Sequence, residues 1–483
     1  MTKKKFSMAS AVLSVICVVF VCEAAAPAAA IGNSQFFWWI FLIISFLLPY
    51  GLIVSELGTS YEDEGGLCDW VRRAYGDKWG SRVSFYYWIN FAFWIASLAF
   101  LVPEVVVLIT GVELSMPLMI ALELAFVWIV VAVSFSKISD ALWVLNLGAV
   151  IKIGIALVVA FLGITYAMNN GFANDMSPAT FLPSLDASSL TYLSIILFNF
   201  MGFEVIATYA GDMQDPKKQI PKAIILGGLA IAIVYLLSSF GIGAAVPIDQ
   251  ISLDAGIFDA LAIMAGDGSL IYIIVGVLFI VSLFGNMISW SFGVNYVALN
   301  AAKKHNMPKM FVSEAKNEMP KGAALINGVV ATILVLLAPV MASFGLEDFF
   351  WIFFSVSVMY LLISYLPMFP AFLKLRKIDA DRERVFAVPG GKVGLNICTW
   401  LPVVLLVLSI GISIIPLNGS EEEMAKLPIL LGCVAVAVLG EVVRVVSARG
   451  RDEEYKGMDK SGDCDEWDIK RGYLEAPKEE ATS

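Results

Sequence analysis

Four ionisable residues of this sequence lie inside apolar stretches: Glu23, Glu104, Lys152 and Glu204. Each would cost about 2.5–3.5 kcal/mol to place at the centre of a bilayer, so each is a candidate for chemistry. Glu23 stands in "VCEAAAPAAAI" (residues 21–31), preceded by three lysines and an apolar run. The small residues suit a signal-peptidase site, and equally a membrane helix broken at an acid and a proline. Glu23 falls where the apolar region of a signal should be, and apolar sequence resumes at Phe36, which favours the broken helix. Glu104 follows Pro103 and lies seven residues after Ser97, so the two share nearly one helix face. A carboxylate at such a place attracts an ammonium and repels another carboxylate. The alternative for each acid is a protonated or paired group that only clamps helices, and for Lys152 a fixed charge doing the same.

Apolar elements must bury these groups. The chain has 483 residues, 59% hydrophobic and 15% charged, with mean hydropathy +0.82. Soluble domains run at about 45–50% apolar and 25% charged, so the composition predicts a polytopic, all-α membrane protein. A crossing helix needs roughly 20 apolar residues. Twelve candidate spans lie near 8–31, 36–57, 84–111, 116–134, 141–168, 189–211, 222–246, 269–300, 322–343, 348–373, 394–415 and 427–446. Of the 32 Lys and Arg, only Lys426 falls on an odd-numbered connection and only Lys152 deep within a span. Lys222 and Arg444, at span ends, count to the even-numbered turn and the C-tail. Positive residues stay on the cytoplasmic side, which predicts both termini inside. The six cysteines form no CxxC pair and the one histidine, His305, lies in a basic loop, so no metal, cofactor or disulfide framework is expected. The acidic tail over 452–480 reads as solvated. No nucleotide loop ending in Gly-Lys-Ser/Thr, HExxH or supported GxSxG is present, and the loops are too short for an enzyme domain. Neither an enzyme nor a nucleic acid partner is expected.

The segment after span two reads "SELGTSYEDEGGLCDWVRRAYG" (55–76). It resembles the "ELG…EGG…W…RAFG" loop of the amino acid–polyamine–organocation (APC) superfamily of permeases. Three further stretches agree: "FNFMGFE" (198–204) with Asp215-Pro-Lys-Lys and Ile220-Pro-Lys-Ala, the end of span eight from Trp290 through Pro308 with Met310-Phe311, and "YLPMFPAFLKLRKIDADRERVFAVPGG" (365–391). The resemblance implies a LeuT-type fold: a first inverted five-helix repeat over 1–168, a second over 169–373, two extra helices over 374–446 and a cytoplasmic tail over 447–483. Helices 1 and 6 would be discontinuous, with bare backbone groups facing the substrate at the midplane. Residues 23–27 and 199–204 would be the unwound points. Many relatives carry Gly-Ser-Gly or Gly-Ala-Gly at the first break, where amides hold a substrate carboxylate; this chain has Phe20-Val-Cys-Glu23.

The resemblance also implies roles. Glu23, Ala24, Ala25, Ala26, Ser97, Phe198, Met201, Glu204 and Trp290 would line the substrate site, with Phe198 and Trp290 closing over the substrate and favouring a cation through their rings. Trp351 and Tyr360 are further aromatic candidates. Glu204 would couple substrate binding to gating or protonation. Glu104 would draw cations from outside. Lys152 would brace the break of helix 1 where sodium-coupled relatives hold an ion, or carry a proton. The expected function is alternating-access transport in the plasma membrane. The leading reading is a cationic amine or polyamine exchanger; a proton-coupled amino acid permease is the alternative, and a transporter-like nutrient sensor a minor one. The partners are a small amine or amino acid and the lipid bilayer, with the oligomeric state left open.

Overall fold

The first apolar stretch forms two helices, and Pro27 explains where the second begins. Helix α1 (Met8–Val19) opens on Ser7, whose side chain accepts the Ser10 N–H, and stops at Phe20 in an extended conformation. Val21 is also extended; a tight turn, Cys22–Ala24, leads into α2 (Ala25–Ala29). Pro27 lacks the N–H that an uninterrupted helix would bond to the Glu23 carbonyl, but proline is tolerated in a first turn. Restarting at Ala25 supplies that turn. The axis bends by 55° between the two pieces. No residue of this break has positive φ, so extended backbone at Phe20 and Val21 replaces the glycines of many relatives.

This computed structural model describes residues 7–61, 65–136, 138–183, 193–208, 213–252, 256–343 and 348–454, and every element among them is helical. The chain continues through α3 (Gly32–Ser60), α4 (Gly66–Tyr75), α5 (Asp77–Thr110), α6 (Met116–Val133), α7 (Ile138–Asn170), α8 (Leu193–Phe198), α9 (Val205–Thr208), α10 (Pro216–Ala245), α11 (Gly256–Ala265), α12 (Leu270–Lys303) and α13 (Lys321–Ala342). It ends with α14 (Phe349–Ile378), α15 (Gly391–Ile414) and α16 (Leu427–Glu454). Among the described residues, ten helices are long and apolar enough to cross a membrane, and the bent first pair makes eleven. The remaining expected span, 189–211, is described only as α8 and α9 with 199–204 between them; 189–192 and 209–211 lie outside the described residues. So do Glu62, Asp63 and Glu64 of the loop motif and tail residues 455–483.

Burial separates centre from edge. The most apolar window of α14 is 78% buried, against 28% for α6 and α15 and 22% for α16. The edge helices expose Val404, Leu408, Leu431 and Val438, as lipid-facing surfaces do. Helix α1 sits inside, packed on α10, α7 and α12, and α5 runs along α14 and α12. Helices α7 and α10 cross at bare backbone: a Cβ on Gly163 would lie 2.1 Å from the Gly241 carbonyl oxygen. Small residues allow such approach between membrane helices.

The polar ends are tied by ions. Asp69 of α4 meets Arg72 at 3.0 Å, Arg73 at 2.7 Å and Lys304 at 2.6 Å. Burial pushes its carboxyl up, but the three cations outweigh that and hold it well below the usual carboxylate range. Glu56 pairs with Arg376 and Arg384 and accepts the Val388 N–H. These contacts staple the 55–76 motif to the segment after Tyr365.

Candidate substrate-binding site

A helix that stops inside a protein leaves its last carbonyls without intrahelical donors. At the end of α1, Phe20 N–H serves Ile16 O, and two distant side chains serve the carbonyls of Cys17, Val18 and Phe20. Lys152 of α7 donates to Cys17 O at 2.7 Å and to Phe20 O, with its third bond to Asn286 Oδ1 at 2.7 Å. Trp290 of α12 donates its indole N–H to Val18 O at 2.6 Å. An ammonium at a helix C-terminus also meets the negative end of the helix dipole. Beyond the break, the Val21 N–H donates to the Tyr235 hydroxyl at 2.7 Å. That amide is therefore occupied.

Glu23 lies just past these bonds and is buried, 2% exposed. Its Oε1 has no hydrogen-bond partner. The Trp94 indole N–H lies beside the carboxyl group but has no hydrogen-bond partner either. Around Trp94 the rings close ranks: Phe198 at 5.1 Å and Trp290 at 5.2 Å, both edge-on, with Phe354 at 5.5 Å from Phe198. Next to Phe198, buried Asn199 has neither side-chain polar atom bonded. An unmatched buried polar group costs about 1–3 kcal/mol. Here acid and indole meet beside aromatic faces, and the amide follows Phe198 in the chain.

The second break is built differently. Between α8 and α9, Met201 N–H bonds Phe198 O at 2.9 Å, and Gly202 takes φ +105°. A Cβ there would lie 2.7 Å from the Trp290 ring and 3.2 Å from Val18, so glycine answers both the dihedral and the contact. The Gly202 N–H donates to the Tyr365 hydroxyl at 3.1 Å. Glu204, 1% exposed, has both oxygens engaged: Tyr50 donates to Oε2 and Tyr87 to Oε1, each at 2.6 Å. Three phenols surround this acid, and Tyr87 reaches the Trp290 ring at 6.3 Å.

A sequence model described as amino acid permease matches residues 6–439. The chain belongs to the amino acid permease family. It is 48% identical over 444 residues, 91% of this chain and 95% of the relative, to the "Probable agmatine/putrescine antiporter AguD" of Lactococcus lactis subsp. lactis. It is 26% identical to an uncharacterized transporter of Legionella pneumophila, over 86% of this chain and 90% of that one. It is 23% identical to a glutamate/gamma-aminobutyrate antiporter of Lactococcus lactis subsp. lactis, over 84% and 83%. The permease is thus a multi-pass membrane transporter of the APC superfamily, not an enzyme, and its substrate is a small molecule of the amine or amino acid class.

In this permease, Glu23, Phe198 and Trp290 gather around Trp94, and Met201 is buried beside them in the chain. Ser97 is buried one turn from Trp94 and donates to the Trp94 carbonyl at 2.8 Å. Ala24, Ala25 and Ala26 are buried, and Ala26 packs against Gly256. Glu204 belongs to the tyrosine cluster, and Glu104 to a separate cleft described below. Of the further aromatics, Trp351 lies 6.1 Å from Phe354, whereas the Tyr360 hydroxyl donates to Cys433 O of α16 and packs helices together. Trp94, Asn199 and the three tyrosines were not anticipated. Trp94 precedes Ser97 by one turn and carried a signal; Tyr50, Tyr87 and Tyr365 are far apart in the chain and carried none.

Proposed function

We propose that the permease exchanges organic amines of the agmatine/putrescine class across the cell membrane by alternating access. One observation carries this: the break holds an acid oxygen without a partner, while the neighbouring cation is fully spent. Lys152 has three donors, and Cys17 O, Phe20 O and Asn286 Oδ1 accept from it. The Lys152 ammonium thus keeps no donor for a substrate carboxylate, and the Val21 amide is also taken. An ammonium or guanidinium instead meets the Glu23 carboxylate, the Asn199 carbonyl oxygen and the faces of Trp94, Phe198 and Trp290. The printed name of the 48% relative points the same way. Glu204, gripped by Tyr50 and Tyr87, links the second break to α3 and α5 and serves coupling rather than substrate contact.

The reading includes a LeuT-type arrangement with twelve spans, both termini cytoplasmic, repeats over 1–168 and 169–373, and helices 1 and 6 interrupted. It is supported by the 55° bend at the first break and by non-helical 199–204 at the second. The bundle of spans 1, 2, 6 and 7 then rocks against the rest. Counterflow into proteoliposomes tests the substrate class. Glu23→Gln keeps the shape and removes the charge; one charge-assisted hydrogen bond is worth about 1.5–3 kcal/mol, so amine exchange is expected to weaken roughly ten- to hundredfold. If zwitterion uptake survives unchanged and diamines never bind, the amine reading is wrong.

A further inference from the structure

A second acidic site lies away from the helix breaks. The C-terminal ends of α5 and α13 and the N-terminal ends of α6 and α14 enclose a cleft of about 600 Å³, within the range of small-molecule sites. Glu104, Glu123 and Asp348 line it, and no basic side chain does. Glu104 stands six residues before the end of α5 and Glu123 seven after the start of α6. At 1.5 Å per residue, both are sunk about 10 Å from the 111–115 connection. Asp348, exposed at the mouth, caps α14 through the Trp351 N–H at 3.0 Å. Glu123 is 5% exposed and has no hydrogen-bond or ionic partner among the described residues. A carboxylate sunk in an apolar wall without a partner calls for a cation from outside the chain.

The lining selects the kind of cation. Phe100, Met119, Ile120 and Phe349 supply apolar surface between the acids. No group of three acidic, cysteine or histidine side chains among the described residues converges to hold one metal ion. Separated carboxylates joined by apolar wall fit a molecule with a charge at each end of an aliphatic chain. We propose that this cleft is a second binding site for aliphatic diamines or guanidino-amines, a station occupied before the central site. The proposal rests on the amine-exchange reading and on its orientation, in which this end faces outward. A lipid carrying a primary ammonium offers one of the two charges, but its phosphate would face three acids.

Equilibrium binding of radiolabelled putrescine to the full-length permease in phosphatidylcholine nanodiscs tests it. Two molecules per chain are expected for the wild type, and one for the Glu104→Gln/Glu123→Gln double variant. Glu123→Gln alone is expected to weaken the second site about tenfold, as an acid-lined cleft concentrates cations by at least that factor. The second binding event should fade with salt. One molecule on the wild type, or unchanged affinity in Glu123→Gln, overturns the second site and leaves the amine reading standing. No putrescine bound at all overturns both. Loss of the second molecule when phosphatidylethanolamine is added assigns the cleft to a lipid headgroup and overturns the proposal.

Discussion

Replacing Lys152 with methionine keeps the aliphatic stem and deletes the ammonium. Three bonds go with it, to Cys17 O, Phe20 O and Asn286 Oδ1. Hydrogen bonds to a charged group contribute about 1.5–3 kcal/mol each, a gross loss of about 5–9 kcal/mol. Against this, the variant no longer buries a charge, which returns about 3 kcal/mol. The net penalty, about 2–6 kcal/mol, falls on the last turn of α1, where the Cys17 and Phe20 carbonyls lose the donor they share. Purified Lys152→Met protein is expected to melt several degrees lower than wild type. Its counterflow rate should drop at least thirtyfold, the equivalent of 2 kcal/mol, because the broken segment no longer holds one geometry. Wild-type melting and wild-type exchange in Lys152→Met would refute the bracing role.

Two more substitutions probe other parts of the fold. Gly202→Ala places a methyl 2.7 Å from the Trp290 ring at φ +105°, so a strain of about 1–3 kcal/mol is expected, read as a lower melting temperature and slowed counterflow; an unchanged protein would mean that this turn is soft. Asp69→Asn removes the anion from between Arg72, Arg73 and Lys304, and breaking a buried ionic cluster costs about 3–5 kcal/mol. Since the folded carboxyl sits well below its ordinary value of 3.8, its stabilisation is complete above the unfolded value and is lost as pH falls through the folded one. Melting of the two proteins should therefore differ by a constant amount at neutral pH and converge only below about pH 4.

The sequence announced residues more readily than their partners. Lys152 was conspicuous because nothing polar surrounds it in the chain, yet its acceptors come from residues 17, 20 and 286, which only packing brings together. The first break was legible in Glu23 and Pro27, but its form was not: without glycine, the chain turns through extended Phe20 and Val21. Glu204 was legible as a buried acid, whereas Tyr50, Tyr87 and Tyr365 approach it from three other helices, at separations no periodicity encodes. Glu123 passed unremarked inside the span 116–134 because one acid in a long apolar run barely shifts its mean hydropathy. Helix boundaries slipped for a related reason. Helix α5 begins at Asp77 rather than near 84, since Lys78 and Arg82 end the apolar pattern without ending the backbone hydrogen bonding.

Where Gly163 meets Gly241, two long rods touch with no side chains between them. Such a joint has no teeth. At that crossing, a methyl on either rod would meet the backbone of the other. Helix α10 also carries Tyr235, whose hydroxyl grips Val21, so the helix seated by this bare crossing is the one that holds the turn after α1.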